Sequence, residues 1–337
     1  MNMKNNNEIS SQNTPGSSFE GQWGLRIVFM GTPEFAVASL KKLVEAGCNI
    51  VGVITAPDKT AGRGLQLQQS AVKKYAAEKG LLILQPEKLK DPVFLQQLEA
   101  LHADLQVVVA FRMLPELVWN MPPMGTINLH GSLLPQYRGA APINWAIING
   151  EKETGVTSFQ LQQEIDTGNI LLSEKIAIGE DETAGELHDR MKEIGAALVL
   201  QTVQGIAAGN LKEQPQSLIW SDDLRLTMLK TAPKISADTC RINWDQPVDR
   251  VYNQIRGLSP YPAAFTELEG KNLKIFKTTR HESSKLSDVL APGEYRTDKK
   301  TFLEFACNNG YLSVLELQLE GKKKMGIEDF LRGYHFR

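Results

Sequence analysis

The stretch that decides the fold runs from Leu25 to Thr55 and reads LRIVFMGTPEFAVASLKKLVEAGCNIVGVIT. It opens with a short apolar run, and Gly31-Thr-Pro33 then turns the chain. Glu34 to Ala46 has helical periodicity, with Pro33 near the helix start, where its missing N–H is harmless. A second apolar run begins at Asn49. The pattern therefore predicts a strand, a tight turn, a helix and a second strand.

The same alternation continues along the first half of the chain. Short apolar runs lie at 82–85, 105–110 and 125–130, and helical stretches lie at about 70–79, 91–101 and 183–208. Continuous Val, Ile and Leu strands that alternate with helices are typical of a parallel sheet covered on both faces. We therefore predict an α/β domain that the last of these helices closes.

Outside this domain the composition changes. Residues 1–24 are rich in Asn, Ser, Gln and Gly and cannot bury enough apolar surface to fold, so we predict a disordered tail. Pro, Gln, Ser and Asp cluster after residue 207, which places a linker at 207–230. Beyond a helix at 247–256, short β-type runs separated by turn residues indicate a small barrel or sandwich. The predicted units are a tail at 1–24, an α/β domain at 25–206, a linker at 207–230 and a second domain at 231–337.

Composition excludes several classes of protein. The 337 residues include 37 Lys and Arg against 39 Asp and Glu, and the net charge of −2 gives no overall attraction to polyanions. Residues 207–337 nevertheless hold 20 basic and 17 acidic side chains, or +3, which leaves −5 for the rest. The three scattered cysteines form no C-x-x-C pair, and no apolar run approaches the roughly 18 residues of a membrane span. We expect a cytoplasmic protein with no membrane association.

The densest polar cluster follows the predicted strand at 125–130. Asn128 and His130 are two residues apart, so a strand places both side chains on one face, at the sheet edge where α/β proteins bind ligands. Asp166 lies in a turn between two apolar runs and is suited to orient an imidazole. No Ser elbow or neighbouring Cys offers a covalent nucleophile, which favours direct attack of a substrate nucleophile on a bound carbonyl. The alternative is purely structural: His130 caps a strand end and the other two serve turns.

Two loops need separate comment. The first β-α turn, Gly31-Thr-Pro-Glu-Phe35, lacks the later glycines of G-x-G-x-x-G, which argues against a dinucleotide cofactor. The loop at 56–69 is longer than the usual β-α connection of about 2–6 residues. It carries Arg63 between two glycines, an open cationic tip that suits phosphate or nucleic acid, although an exposed loop without a ligand explains it equally well.

Taken together, these motifs resemble the signature of folate-dependent formyltransferases. The stretches that carry the resemblance are Asn128, His130, Ser132-Leu-Leu-Pro135, Arg138-Gly-Ala-Ala-Pro142 and Asp166-Thr-Gly168. Other stretches resemble the family members that formylate the methionine of initiator tRNA, namely Gly62-Arg-Gly64, Ala232-Pro-Lys-Ile235, Pro260-Tyr-Pro262 and Gly321-Lys-Lys-Lys-Met325. The resemblance covers about 25–337.

The resemblance implies a fold and a reaction. It implies a Rossmann-like catalytic domain followed by an OB-type β-barrel that binds tRNA. The formyl donor is 10-formyltetrahydrofolate, the acceptor is initiator Met-tRNA, no metal takes part, and we expect a monomer. Asn128 and His130 would stabilise the oxyanion, Asp166 would orient His130, and Arg63 would lie near the acceptor stem. The turn that would line the folate pocket consists of Ser132, Leu133, Leu134 and Pro135.

The chain also departs from the usual pattern of the family. Leu65 and Gln66 replace the two lysines common after Gly-Arg-Gly, which leaves Lys59, Lys73 and Lys74 to supply charge beside Arg63. The stretch Ala110-Phe-Arg-Met-Leu-Pro115 is one residue shorter than is common and lacks a glycine. We expect this loop to border the pterin ring.

Two other functions compete with this one. One is formyl transfer to a small amine, such as an amino sugar or a nucleotide precursor, and the other is a non-catalytic protein that binds folate or RNA. The second domain and the Gly-Arg-Gly loop argue against the first. The presence of Asn128, His130 and Asp166 together argues against the second, because only chemistry requires all three.

The assignment of the loop is testable by replacing its arginine. Arg63→Ala should weaken the use of the tRNA acceptor more than the binding of folate, because the side chain would contact the acceptor stem. Steady-state kinetics with varied tRNA, together with equilibrium folate binding, check this. Lost folate affinity with unchanged tRNA affinity would show that the loop has been assigned to the wrong substrate.

Overall fold

The computed structural model describes residues 24–61, 66–219, 229–282 and 290–336. Three of the sequence predictions fall wholly or partly elsewhere. Arg63 and the rest of its loop tip, all but the last residue of the tail at 1–24, and part of the linker lie outside the described residues.

A seven-stranded mixed sheet forms the centre of the first domain. Its strands are β1 (Arg26–Gly31), β2 (Asn49–Ile54), β5 (Ile83–Leu84), β6 (Leu105–Val109), β7 (Thr126–His130), β9 (Glu153–Gln160) and β10 (Ile170–Ala177). The order is β10-β9-β7-β6-β1-β2-β5. The five strands from β7 to β5 are parallel, as predicted. At the other edge β9 pairs antiparallel with β7, and β10 pairs antiparallel with β9. The sequence analysis did not identify this antiparallel pair.

Helices cover both faces of the sheet. They are α1 (Glu34–Glu45), α2 (Ala71–Glu78), α3 (Pro92–Glu99), α4 (Glu116–Trp119), α5 (Pro142–Ile148) and α6 (Ala184–Ala207). Leu40 of α1 and Leu187 of α6 are buried on one face, and Phe94 and Leu98 of α3 on the other. The predicted Rossmann-like arrangement is confirmed. No helix in the described ranges is long and apolar enough to cross a membrane.

The long loop after β2 is anchored at its base. Its described parts pair as a short hairpin of β3 (Lys59–Ala61) and β4 (Gln66–Gln68). Lys73 forms an ion pair with Asp58, and the Gln85 amide donates to the same carboxylate over 2.8 Å. These partners lower the pKa of Asp58. The ammonium group of Lys73 is therefore paired with Asp58, and the expectation that it supplies charge for tRNA stays a prediction.

An antiparallel sheet forms the second domain. Its strands are β12 (Ala264–Leu268), β13 (Lys271–Glu282), β14 (Tyr295–Thr297), β15 (Leu303–Cys307), β16 (Gly310–Leu319) and β17 (Met325–Gly326). The order is β12-β13-β16-β15-β14, with β17 added to β16. The predicted small barrel is thus a curled half-barrel, and β12 and β14 do not pair within the described ranges.

Short helices complete the second half of the chain. These are α7 (Gln216–Ile219), α8 (Ala237–Cys240), α9 (Val248–Leu258) and α10 (Ile327–Gly333). Helix α9 supplies Val248, Val251, Ile255 and Leu258 to the core of the half-barrel.

Hydrogen bonds join the domains at several points, and two groups of them lie on α9 and on a segment after the linker. Asn144 of α5 donates to the Gly257 carbonyl over 2.7 Å, and Arg256 donates to the Glu182 carbonyl over 2.8 Å. In the second group, the short strand β11 (Thr231–Ala232), just after the linker, pairs in parallel with β8 (Arg138–Gly139) of the first domain.

The glycine in the first β-α turn, Gly31, has a packing role that does not involve a bound phosphate. A Cβ atom at this position would lie 2.6 Å from Ala36 Cβ, 2.9 Å from Phe29 Cε1 and 3.0 Å from the Val109 carbonyl oxygen. The glycine therefore permits close packing of α1 on the sheet.

Gly31→Ala should accordingly lower the free energy of unfolding by about 1–3 kcal/mol, the usual effect of overpacking a core. Urea denaturation measures this change. Gly333→Ala is the matched control, because a Cβ there meets no atom within 4 Å. Equal stabilities of the two variants would contradict the packing role.

Candidate active site

The end of strand β7 carries two polar side chains on one face. Asn128 pairs with Val108 of β6 and Phe159 of β9, and His130 pairs with Thr157. The predicted common face is therefore present, at the carboxyl edge of the parallel strands.

A backbone carbonyl fixes the His130 ring, which is only 7% exposed. Its Nε2 atom lies 2.8 Å from the Tyr137 carbonyl oxygen. Because a carbonyl only accepts hydrogen bonds, Nε2 carries the proton. In the neutral ring the lone pair is therefore on Nδ1.

Tyr137 is held at both its backbone and its side chain. Its φ of 58° is in the left-handed region, which turns its carbonyl towards His130. Its hydroxyl donates to Glu151 Oε1 over 2.5 Å and accepts from the Asn149 amide over 3.2 Å. Burial, with a smaller contribution from Glu151, raises the pKa of Tyr137 above its usual range. The strained backbone is thus supported by a buried side-chain anchor.

Asp166 occupies the turn between β9 and β10, with a left-handed φ of 55°. Its Oδ2 atom accepts a hydrogen bond from the Gly139 N–H over 3.0 Å and lies 3.7 Å from His130 Nδ1. The second distance suits an ion pair but is too long for a hydrogen bond. The ring orientation is therefore set by Tyr137, and Asp166 places a negative charge beside Nδ1.

The Asn128 side chain is half-buried and makes no hydrogen bond to any residue in the described part of the chain. Its amide N–H groups are therefore available to a ligand. A neutral donor in such a position suits an oxygen atom on which negative charge develops.

The Ser132-Leu-Leu-Pro135 turn forms a wall beside this cluster. Ser132 donates to the Gln136 carbonyl over 2.6 Å, and the Leu134 N–H donates to Thr157 Oγ1 over 3.2 Å. The Leu134 side chain packs with Phe159 and Ile170. These side chains are occupied with internal contacts, so any contribution to ligand binding would come largely from the backbone and the shape of the turn.

The loop after β6 is held by its own contacts and borders a separate cavity. Ala110 has a left-handed φ of 46°, and the Arg112 guanidinium donates to the carbonyls of Glu87, over 2.7 Å, and Pro86. A cavity of about 490 Å³ lies between Leu89 and Lys90 on one side and residues 112–117 on the other.

Three parts of the site were missed by the sequence analysis as functional groups. They are the Tyr137 carbonyl, the Gly139 N–H and the side chain of Gln216, whose amide donates to the Asp166 carbonyl over 2.9 Å. The first two are backbone atoms, whose direction no sequence pattern reveals. Gln216 lies in the segment assigned to the linker.

Among the described residues, no group of three or more His, Cys, Asp or Glu side chains is placed to hold a metal ion.

Comparison with known families agrees with this geometry. Residues 25–203 match the model of the formyl transferase family, and residues 234–335 match the model of the formyl transferase C-terminal domain. The chain belongs to the formyl transferase family. Both of its halves are therefore accounted for by one kind of enzyme.

Relatives within the family extend over nearly the whole chain. A methionyl-tRNA formyltransferase from Bacteroides fragilis is 54% identical over 314 residues, which cover 92% of this chain and 95% of the relative. One from Flavobacterium johnsoniae is 48% identical and covers 93% of this chain and 97% of its own length.

Solved structures share the fold of this formyltransferase. A sugar 3N-formyl transferase called WlaRD, studied with dTDP and 5-N-formyl-THF, has a TM-score of 0.63 at 18% identity and covers 89% of this chain and 99% of its own. HypX from Aquifex aeolicus in complex with tetrahydrofolic acid has a TM-score of 0.59 at 18% identity and covers 93% of this chain and 48% of its own.

The buried anchor of Tyr137 predicts a pH effect on stability. In the folded protein the hydroxyl keeps its proton above the usual range, whereas the unfolded chain releases it near pH 10. The wild type should therefore lose stability above pH 10, by up to about 1.4 kcal/mol per pH unit from this group. Tyr137→Phe has no proton to lose.

Urea denaturation of both proteins between pH 8 and pH 11 measures the effect. The stability difference between wild type and Tyr137→Phe should be constant below pH 10 and shrink above it. A difference that stays constant over the whole range would contradict the buried-proton account.

Proposed function

We propose that this formyltransferase moves the formyl group of 10-formyltetrahydrofolate to the α-amine of methionine on initiator tRNA. The observation that carries the proposal is the meeting of Asn128, His130 and Asp166 at one sheet edge, in a chain that aligns almost end to end with methionyl-tRNA formyltransferases. The product is N-formylmethionyl-tRNA, which serves translation initiation.

His130 acts as the base in this reaction. Its Nε2–H is held by the Tyr137 carbonyl, so Nδ1 is free to take a proton. The amine attacks the formyl carbon and becomes positively charged. Nδ1 then removes a proton from that nitrogen, and the imidazolium formed is stabilised by the Asp166 carboxylate 3.7 Å away.

Asn128 stabilises the developing oxyanion. Its free amide N–H can donate to the formyl oxygen as the carbonyl becomes tetrahedral. Protonated His130 is a second donor for the same oxygen. Both groups are fixed on β7, so little reorganisation accompanies the reaction.

The adduct then collapses with the proton that His130 has stored. Nδ1–H gives the proton to N10 of the folate as the bond from N10 to the formyl carbon breaks. The carbonyl reforms on the methionine nitrogen and the ring returns to neutrality. Neither the nucleophile nor the leaving group needs a metal ion in this sequence of steps.

Substrate binding is assigned to groups outside the catalytic three. We assign the folate pocket to the turn of Ser132, Leu133, Leu134 and Pro135, whose buried contacts give it a fixed shape. Tetrahydrofolate in the HypX complex, on the same fold, agrees with a folate substrate. Arg63 and the second domain are assigned to tRNA.

Formyl transfer to a sugar nucleotide is the competing function, because the fold is shared with a sugar 3N-formyl transferase and with an N-formyltransferase in complex with dTDP-3-aminofucose. Those proteins are only 18–19% identical to this chain. A direct test supplies the purified protein with 10-formyltetrahydrofolate and either charged initiator tRNA or a dTDP-amino sugar. N-formyl product on the sugar alone would replace the proposed acceptor.

Replacement of the base should separate chemistry from binding. His130→Ala should lower kcat by at least about 10²-fold, the usual contribution of general acid–base catalysis, and leave tRNA affinity largely intact. Single-turnover transfer and filter binding measure the two quantities. His188→Ala is the control, because that ring lies on the partly exposed surface of α6, outside the catalytic cluster. Near-normal turnover of His130→Ala would refute the assigned role.

A further inference from the structure

A single side-chain amide joins the two loops of the active site on the side of the linker. Gln216 Nε2 donates to the carbonyls of Asp166 and Gly168, each over 2.9 Å. Its Oε1 accepts from Arg138, with a distance of 3.1 Å to Nε and a second contact from Nη2. Gln216 therefore connects the turn of Asp166 to the residue that precedes Gly139.

The orientation of this amide is determined by its neighbours. Two carbonyl oxygens require the NH₂ group, and the guanidinium requires the oxygen. Gln216 is only 5% exposed, so water does not replace these partners freely. Burial lowers the pKa of Arg138, an effect that the Asp166 and Glu164 carboxylates oppose.

The Asp166 turn depends on such outside support. Asp166 is left-handed, a strained conformation for a non-glycine residue. Gly168 is packed so closely that a Cβ atom would lie 1.6 Å from the Gln160 carbonyl oxygen. Without Gln216, the carbonyls of Asp166 and Gly168 would lose this donor. The turn would then relax, and the carboxylate on it would move relative to His130.

We infer that Gln216 is a positioning residue for formyl transfer, which sets the Asp166 carboxylate against Nδ1 of His130. The inference rests on the proposed function. Gln216 lies between residues 203 and 234, in the part of the chain that neither family model covers. The segment between the domains thus contributes to the chemistry as well as to their connection.

Gln216→Glu tests this role with almost no change in size. A carboxylate still accepts from Arg138, but it has no donor for the two carbonyls and repels them. We expect kcat for formyl transfer to fall by about 10- to 100-fold, the scale of a 1 Å displacement in a catalytic group. KM for 10-formyltetrahydrofolate and for Met-tRNA should stay within about twofold, because the buried Gln216 side chain is bonded to Arg138, Asp166 and Gly168 and offers almost no surface to a substrate. Gln214→Glu is the matched control, on an exposed side chain two residues away.

A double-mutant cycle shows whether Gln216 acts through Asp166. In an Asp166→Asn background, Gln216→Glu should lower kcat no further, since the group it positions has lost its charge. A merely structural role would lower kcat by the same factor in both backgrounds, and that result would overturn the inference.

The remaining outcomes separate the proposed function from the positioning role of Gln216. If wild-type protein forms no formylmethionyl-tRNA, the proposed function fails. If it does, and Gln216→Glu keeps its kcat or changes mainly KM, only the positioning role fails. Should Gln216→Glu not fold, as judged by thermal unfolding, Gln216→Met provides the same test, with the donor removed and no charge added.

Discussion

The hydrogen bond from the Gly139 N–H to the Asp166 carboxylate is the contact on which the site depends. It joins a loop that follows β7 directly to a turn that follows β9, and Gln216 bridges the same two segments. The same loop supplies the Tyr137 carbonyl that fixes His130. One contact therefore couples the position of His130, the proposed base, to the position of the charge beside it. Left-handed residues in both segments indicate that the arrangement is maintained by its surroundings rather than by local preference.

Most of the architecture was accessible from the sequence because it follows from periodicity. The strands that became β1, β2 and β6 are largely apolar runs, as buried parallel strands require. The antiparallel pair β9 and β10 was missed because polar residues interrupt both strands. The strands of the second domain were predictable, but the open half-barrel was not. Whether a sheet closes into a barrel depends on which edge strands meet, and the pattern within one strand does not show this.

The site was accessible to a different extent. Spacing alone places Asn128 and His130 on one face, and the structure agrees. Spacing does not reveal that the Tyr137 carbonyl selects the tautomer, because a backbone direction depends on φ. Gln216 was hidden for a simpler reason: it lies in a polar stretch whose composition is that of a connector. The net charge of a chain also does not reveal which charged side chains pair with each other. The ion pair between Lys73 and Asp58 is an example.

The pairing of β8 with β11 has a consequence for biosynthesis. The Lys230 N–H donates to the Gln136 side chain, 94 residues earlier in the chain. A ribosome that has released the whole of the first domain has therefore not yet supplied β11, the strand that pairs with the loop of Tyr137 and Gly139. The order of synthesis therefore delays the pairing of this loop until the connector has left the ribosome.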